Sequence, residues 1–130
     1  MEKIKRISLR QALTYRGGSG MWSWILHRVT GLGILLFVGM HIVAAFFVYS
    51  IDQGWIADAT LAITTWYESV PVQIFVLFSV LFHALNGLRI IIMDFWPSLM
   101  RFRKELLWLQ LAIFVPLFLL PSILMIMPAE

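Results

Sequence analysis

The chain of 130 residues is 61% hydrophobic and only 13% charged, and its formal net charge is +3. So few charges exclude an ordinary water-soluble globular protein of this length. The absence of cysteine excludes disulfides, thiolate chemistry and any iron–sulfur cluster that this chain would hold alone.

Three charge-free segments predict an all-α integral membrane protein. No Asp, Glu, Lys or Arg occurs in residues 29–51, 69–88 or 106–129. A membrane-crossing helix needs about 20 such residues, and backbone groups in lipid must be hydrogen-bonded within their own segment. The sequence therefore predicts a single transmembrane domain, 1–130, with three membrane-spanning helices.

In chain order, a basic N-terminus of residues 1–20 precedes a first span over about 22–50. The outer connection follows, with a short surface helix expected in its middle and with Trp55, Trp66 and Tyr67 expected in the interfacial aromatic belt. The second span covers about 70–93 and ends before Pro97, and the third covers about 105–127. Two further prolines, Pro116 and Pro121, are expected to bend the third span.

The charged residues predict the orientation. Every Lys and Arg lies before the first charge-free segment, at the end of the second span or in the loop after it, whereas the first loop carries Asp52, Asp58 and Glu68 and no cation. The positive-inside rule then predicts a multi-pass protein of the cytoplasmic (inner) membrane, with the N-terminus in the cytoplasm and the C-terminus outside. The lipid bilayer is therefore a partner, and no nucleic-acid partner is expected.

Helical geometry arranges the polar residues in two stripes. The stripe on the first helix contains Ser23, His27, Thr30 and His41. The stripe on the second helix contains Ser79, His83, Gly87, Ile90 and Asp94, with Asn86 at its edge. The third span offers only Gln110 and Ser122, so we expect it to serve packing.

A histidine within a membrane is costly enough to indicate a function. Neutral imidazole is a good iron ligand, and paired histidines from different helices hold b-type haem in helical bundles. His83 is therefore either a haem ligand or a partner in an interhelical hydrogen bond. Gly87, one turn further along, would clear space either for a flat macrocycle or for close helix packing.

Two segments, SWILHRVTG (23–31) and LFHALNGLRIIIMDFW (81–96), together resemble the cytochrome b membrane-anchor subunit of succinate dehydrogenase, respiratory complex II. The first resembles that family's Ser-x-x-x-His-Arg-x-Ser/Thr-Gly motif. The second resembles its His-x-x-x-Gly-x-Arg segment, followed by Asp94. The order of the motifs, their separation and the three-span layout agree over nearly the whole chain.

The resemblance implies a role for each matching residue. His83 matches an axial ligand of haem b, whose second ligand comes from a second membrane-anchor subunit. Ser23 and Arg28 match quinone-site residues near the cytoplasmic face, where the iron–sulfur subunit docks. His27 and Arg28 match groups near the haem propionates, and Arg89 would add to them. Without the resemblance, Ser23 would be a helix cap and Arg28 a side chain that reaches toward lipid phosphate.

The chain departs from the family at Ile90, where some members carry a further histidine, so any propionate contact from that position is absent. His41 lies outside both motifs. It follows Arg28 by 13 residues, about 20 Å of helix, whereas His83 is about 9 Å from Arg89. Because diheme relatives hold an outer haem with a first-helix histidine, His41 is a candidate ligand for a second haem, against an alternative packing role.

The resemblance therefore implies the membrane anchor of succinate:quinone oxidoreductase, with one or two haems and quinone as substrate. Iron–sulfur and flavoprotein subunits would oxidise succinate, so the isolated chain would not perform the dicarboxylate chemistry. A quinol:fumarate reductase could use the same parts in reverse. Two alternatives stay open, a haem-free structural anchor and a small transporter or channel subunit that uses the polar stripes as a path.

Overall fold

A computed structural model describes residues 19–50 and 54–127. It contains four α-helices: α1 is Ser19–Ser50, α2 is Trp55–Tyr67, α3 is Val70–Phe95 and α4 is Arg103–Ile126. A 3-10 helix, Pro97–Phe102, joins α3 to α4. No strand occurs in these two ranges, so the all-α prediction is confirmed.

Three of the helical segments are long and apolar enough to cross a membrane. They are Gly20–Phe47, Val70–Phe95 and Pro97–Ile126, which confirms the prediction of three membrane-spanning helices. The basic residues of the N-terminus before Ser19, and Asp52 in the first loop, lie outside the described residues. The orientation in the membrane therefore stays a prediction. We call the end at which α1 begins and α3 ends the inner end, and the opposite end the outer end.

Helix α3 lies at the centre, because it packs against α1 on one side and against α4 on the other. The α3–α4 contact is aromatic. It contains two stacked pairs, Phe78 with Phe82 and Phe114 with Phe118, which meet each other edge to face. Such edge-to-face pairs add to the packing energy of the rings. The third span therefore serves packing, as expected from its few polar residues.

The α1–α3 contact is polar, and this inverts the pattern of a water-soluble protein. The two largest fully buried side chains are Asn86 and Ser79, whereas large apolar side chains such as Leu35, Trp108 and Leu124 are about 70% exposed, at 68%, 72% and 71%. Polar groups are satisfied inside a membrane bundle because lipid offers them no hydrogen bonds. The exposed apolar side chains suit contact with lipid or with another membrane subunit.

The outer connection contains the expected short helix, α2. Gly54 precedes it with a φ of +116°, a backbone conformation that favours glycine because it has no Cβ. Trp66 is 64% exposed and suits the aromatic belt, but Tyr67 is only 2% exposed. The prediction that Tyr67 belongs to that belt is wrong, because its ring packs inward against α1.

Prolines mark the helix boundaries at the inner end and inside α4. Helix α3 ends at Phe95, the amide of Trp96 donates to the carbonyl of Ile92, and Pro97 begins the 3-10 helix. Pro116 and Pro121 lie inside α4 without interrupting it, so each removes one backbone hydrogen bond from the third span.

Candidate functional site

Two of the predicted site histidines face each other across the α1–α3 contact. The rings of His27 and His83 stack with their centroids 3.9 Å apart and their planes 7° from parallel. The polar stripes on the two helices therefore meet, and these imidazoles stack at the contact.

A glycine on each helix faces the ring from the other helix, and the approach is tightest at Gly31. A Cβ built on Gly31 of α1 would lie 2.8 Å from Cε1 of His83, and one built on Gly87 of α3 would lie 3.5 Å from Cε1 of His27. Each helix thus carries a histidine followed four residues later by the glycine that receives the other helix's ring. The ring of His27 lies at ordinary contact distance from Gly87, so both interpretations of this glycine stay open.

The hydrogen bonds of His83 fix which ring nitrogen carries its proton. Nδ1 lies 2.9 Å from the backbone oxygen of His27, and a carbonyl oxygen only accepts, so Nδ1 must be the donor. The hydroxyl of Thr30, 3.5 Å from the same nitrogen, already donates to the carbonyl of Leu26. In the neutral ring, Nε2 therefore keeps its lone pair.

A second polar cluster lies nearer the inner end. The hydroxyl of Ser23 donates to Oδ1 of Asn86 over 2.6 Å, and Nη2 of Arg89 donates to the hydroxyl oxygen over 2.7 Å. Ser23 is 4% exposed and Asn86 is 0% exposed. Asn86, which the sequence placed only at the edge of a stripe, is thus central to the α1–α3 contact. The sequence feature that indicates this role is an amide side chain within an apolar helix.

Several buried polar atoms at this end have no hydrogen-bond partner within the described ranges. They are Nδ1 of His27, Nδ2 of Asn86 and Nε of Arg89. The amide of Gln110 is also unpartnered, and it lines a shallow cavity of about 90 Å³ together with Arg89. Unpaired groups of this kind are costly in a membrane and call for a polar partner beyond the described residues.

Arg28 points away from the histidine pair. It is exposed, and its guanidinium carbon lies 3.8 Å from the ring centroid of Trp24, one turn earlier on α1. This is a cation–π contact, and Trp24 is itself 53% exposed. Both side chains are therefore open to a molecule that approaches from outside the three-helix bundle.

His41 lies apart from both the histidine pair and the polar cluster of Ser23, Asn86 and Arg89. Its Nδ1 lies 3.2 Å from the hydroxyl of Tyr67, the last residue of α2 in the outer connection, and His41 is exposed. The contact puts His41 near the outer end, as its distance from Arg28 indicates. Sequence reasoning missed the role of Tyr67, because the two residues are 26 positions apart and no motif links them.

The comparisons with known proteins agree with the motifs. Residues 1–121 match the family described as succinate dehydrogenase/fumarate reductase transmembrane subunit. The chain belongs to this family. It is also 36% identical over 104 residues to the succinate dehydrogenase 2 membrane subunit SdhC of Mycobacterium tuberculosis (strain ATCC 25618 / H37Rv), covering 78% of this chain and 73% of that protein.

Membership confirms the resemblance drawn from the two motifs and makes the chain a multi-pass membrane-anchor subunit of an enzyme complex. Within the described residues, no three His, Cys, Asp or Glu side chains converge as ligands for a bare metal ion. The roles of the individual site residues stay predictions.

Proposed function

We propose that this anchor subunit supplies one axial ligand of a haem b and part of the quinone site of a succinate:quinone oxidoreductase. The observation that carries the proposal is the bond from Nδ1 of His83 to the backbone oxygen of His27. A histidine that ligates a metal through one ring nitrogen usually donates the other N–H to a carbonyl or carboxylate, which fixes its orientation and tautomer. The second axial ligand would come from a second membrane-anchor subunit.

Hydrogen-bond donors without a partner among the described residues lie at the inner end, and they support the binding of a haem there. Nε of Arg89 always carries a proton, and Nδ1 of His27 carries one in its protonated state or in one neutral tautomer. Both atoms are buried without a partner among residues 19–50 and 54–127, and a haem propionate would accept hydrogen bonds from them. Charge-assisted bonds of this kind are strong in a low dielectric. A bound haem would supply one-electron storage beside the quinone site.

For the quinone site, Arg28 is the better placed of the two residues that the family resemblance indicates. It is exposed at the inner end beside Trp24, where the iron–sulfur subunit would dock and pass electrons from the flavoprotein. A guanidinium donates charge-assisted hydrogen bonds to a quinone carbonyl. Ser23, in contrast, is buried and already donates its hydrogen to Asn86.

We extend the proposal to His41 as an axial ligand of a second haem near the outer end. Its ring is exposed on the outside of the bundle, and its Nδ1 contacts Tyr67. This contact leaves Nε2 available for a ligand from outside the chain when Tyr67 accepts the hydrogen bond.

The absorption spectrum of the purified membrane complex tests the proposed function. We expect a b-type α-band that appears when succinate is added, because electrons reach the haem from the flavoprotein and iron–sulfur subunits. A complex that oxidises succinate with a soluble acceptor but contains no haem would be a structural anchor. A chain that co-purifies with neither haem nor a succinate-oxidising subunit would support the transporter or channel alternative.

A further inference from the structure

We propose that Asn86 is a positioning residue that makes Ser23 an acceptor for Arg89 instead of a donor to quinone. This inference rests on the proposed quinone site at the inner end. It assigns a task to Asn86, which occupies an unspecified position of the second motif, and it changes the task of Ser23 in the first motif.

The Ser23 hydroxyl has a single hydrogen to donate. The side-chain oxygen of Asn86 only accepts, and it lies 2.6 Å from the hydroxyl oxygen. The guanidinium of Arg89 only donates, and its Nη2 lies 2.7 Å from the same oxygen. The hydrogen of Ser23 therefore goes to Asn86, and a lone pair receives Arg89.

The opposite orientation of the Asn86 amide is worse. It would direct an N–H group at the second lone pair of Ser23 and leave the hydroxyl hydrogen and the amide oxygen without partners, whereas the first orientation leaves only Nδ2 of Asn86 without a partner among the described residues. Asn86 is fully buried and Ser23 is 4% exposed. Unpaired polar groups cost most at such sites, so the observed orientation is the favourable one.

A quinone carbonyl needs a hydrogen-bond donor, and the hydroxyl hydrogen of Ser23 is already donated to Asn86. Arg89 has donors left, because Nη2 uses only one of the five guanidinium N–H groups on Ser23, and the Nε–H proposed to face a haem propionate still leaves the other Nη N–H groups. The chain from Asn86 through Ser23 therefore holds Arg89 in one orientation, and Arg89 offers the remaining donors. Without Asn86, the hydroxyl would turn and this orientation would be lost.

The test measures the quinone KM and kcat of the assembled complex, with flavin content and soluble-acceptor activity as measures of assembly. We expect Asn86→Leu and Ser23→Ala each to raise the quinone KM by about tenfold, the scale of one hydrogen bond to a charged group. Asn86→Asp should stay close to the unmodified complex, because its carboxylate accepts the same hydrogen.

A matched control is Ser79→Ala on the same helix. Ser79 is 1% exposed and its hydroxyl has no hydrogen-bond partner among the described residues, so the control removes a buried hydroxyl without breaking a network. We expect no change in KM. An equal rise in KM with Ser79→Ala would overturn the proposal, because loss of any buried polar group would then suffice.

A double-mutant cycle separates positioning from direct contact. In an Arg89→Gln background, Ser23→Ala and Asn86→Leu should add less than about twofold to the KM, since residues in one network are not additive. A full additional tenfold effect of Ser23→Ala in that background, with no effect of Asn86→Leu, would show direct contact between Ser23 and quinone and overturn the proposal.

The same measurements distinguish this proposal from the function on which it rests. If Arg28→Leu raises the quinone KM while Asn86→Leu and Ser23→Ala do not, only the positioning role is wrong. If none of the inner-end variants, including Arg28→Leu and Arg89→Gln, changes the KM in an assembled complex, the quinone site itself lies elsewhere and both proposals are wrong.

Discussion

The inner and outer ends of the bundle each hold an imidazole whose Nδ1 is hydrogen-bonded, but the two partners differ in kind. At the inner end, His83 donates to the backbone oxygen of His27, which has no hydrogen to give. At the outer end, His41 meets the hydroxyl of Tyr67, which both donates and accepts. Only the inner contact commits its histidine to a tautomer with a free Nε2.

The two ends also differ in how firmly each ring is held. The ring of His83 stacks on that of His27 and fits against Gly31, whereas His41 is exposed and meets Tyr67 edge to face. Burial raises the pKa of the Tyr67 phenol above its usual 10.0, and the charge of Glu68 adds to this. The phenol therefore stays protonated at neutral pH and keeps both hydrogen-bonding options.

The largest effect on activity is expected from Arg28→Leu at the inner end. Loss of a charge-assisted hydrogen bond, about 1.5–3 kcal/mol, should lower quinone reduction by about tenfold or more, while succinate oxidation with a soluble acceptor continues. Arg101→Leu is the matched control, because Arg101 is also exposed and lies 4.7 Å from the ring of Phe102. Equal loss of both activities with Arg28→Leu would indicate failed assembly instead.

A smaller but specific effect is expected from Gly31→Ala. The added methyl group would meet the ring of His83 at 2.8 Å, and the ring cannot retreat without losing its bond to the carbonyl of His27. We expect a reduced haem-to-flavin ratio or an altered α-band. Gly87→Ala, with a 3.5 Å contact, should change the spectrum less, and Gly39→Ala, with nothing within 4 Å, should change nothing.

The same three glycine variants include an outcome that would contradict the role given to Gly31. If Gly39→Ala lowers haem content as much as Gly31→Ala does, the loss of haem would come from any change in α1 and not from a clash with the ring of His83.

The outer end is tested by His41→Leu. If the complex holds two haems, we expect loss of about half the haem relative to flavin, because each axial ligand supports one site. Loss of all haem would point to a single shared site, and unchanged haem would make His41 a packing residue.

The smallest effect is expected from Tyr67→Phe, which keeps the ring and removes only the hydroxyl bonded to His41. As a group that orients a proposed ligand, Tyr67 should affect haem affinity less than the ligand itself does. We therefore expect the outer haem to be retained with a shifted midpoint potential, measured by redox titration. Loss as large as that in His41→Leu would show that Tyr67 does more than orient the ring.

The sequence predicted the helices well because spans are determined by length and by the absence of charge. Two polar stripes were also predicted, and they do face each other. A helical wheel gives only angles, however, and not the heights at which two helices meet. It therefore placed Ser23 and His41 in one stripe, although Ser23 lies at the inner end of the bundle and His41 lies near the outer end. It also placed the fully buried Asn86 at the edge of a stripe.

Contacts across the chain could not be predicted for the same reason. The role of Gly31 depends on a ring from α3, and the burial of Tyr67 depends on how α2 folds back onto α1. Neither packing arrangement leaves a local pattern in the sequence.

The haem-to-flavin ratio of a purified His83→Ala complex tests the central claim most directly, namely that Nε2 of His83 is the axial donor that this chain supplies at the inner end. We expect loss of the inner haem while flavin content and soluble-acceptor activity are retained, and partial return of the α-band when free imidazole is added. A complex that keeps its full haem content after this substitution, with no added imidazole, would contradict the account.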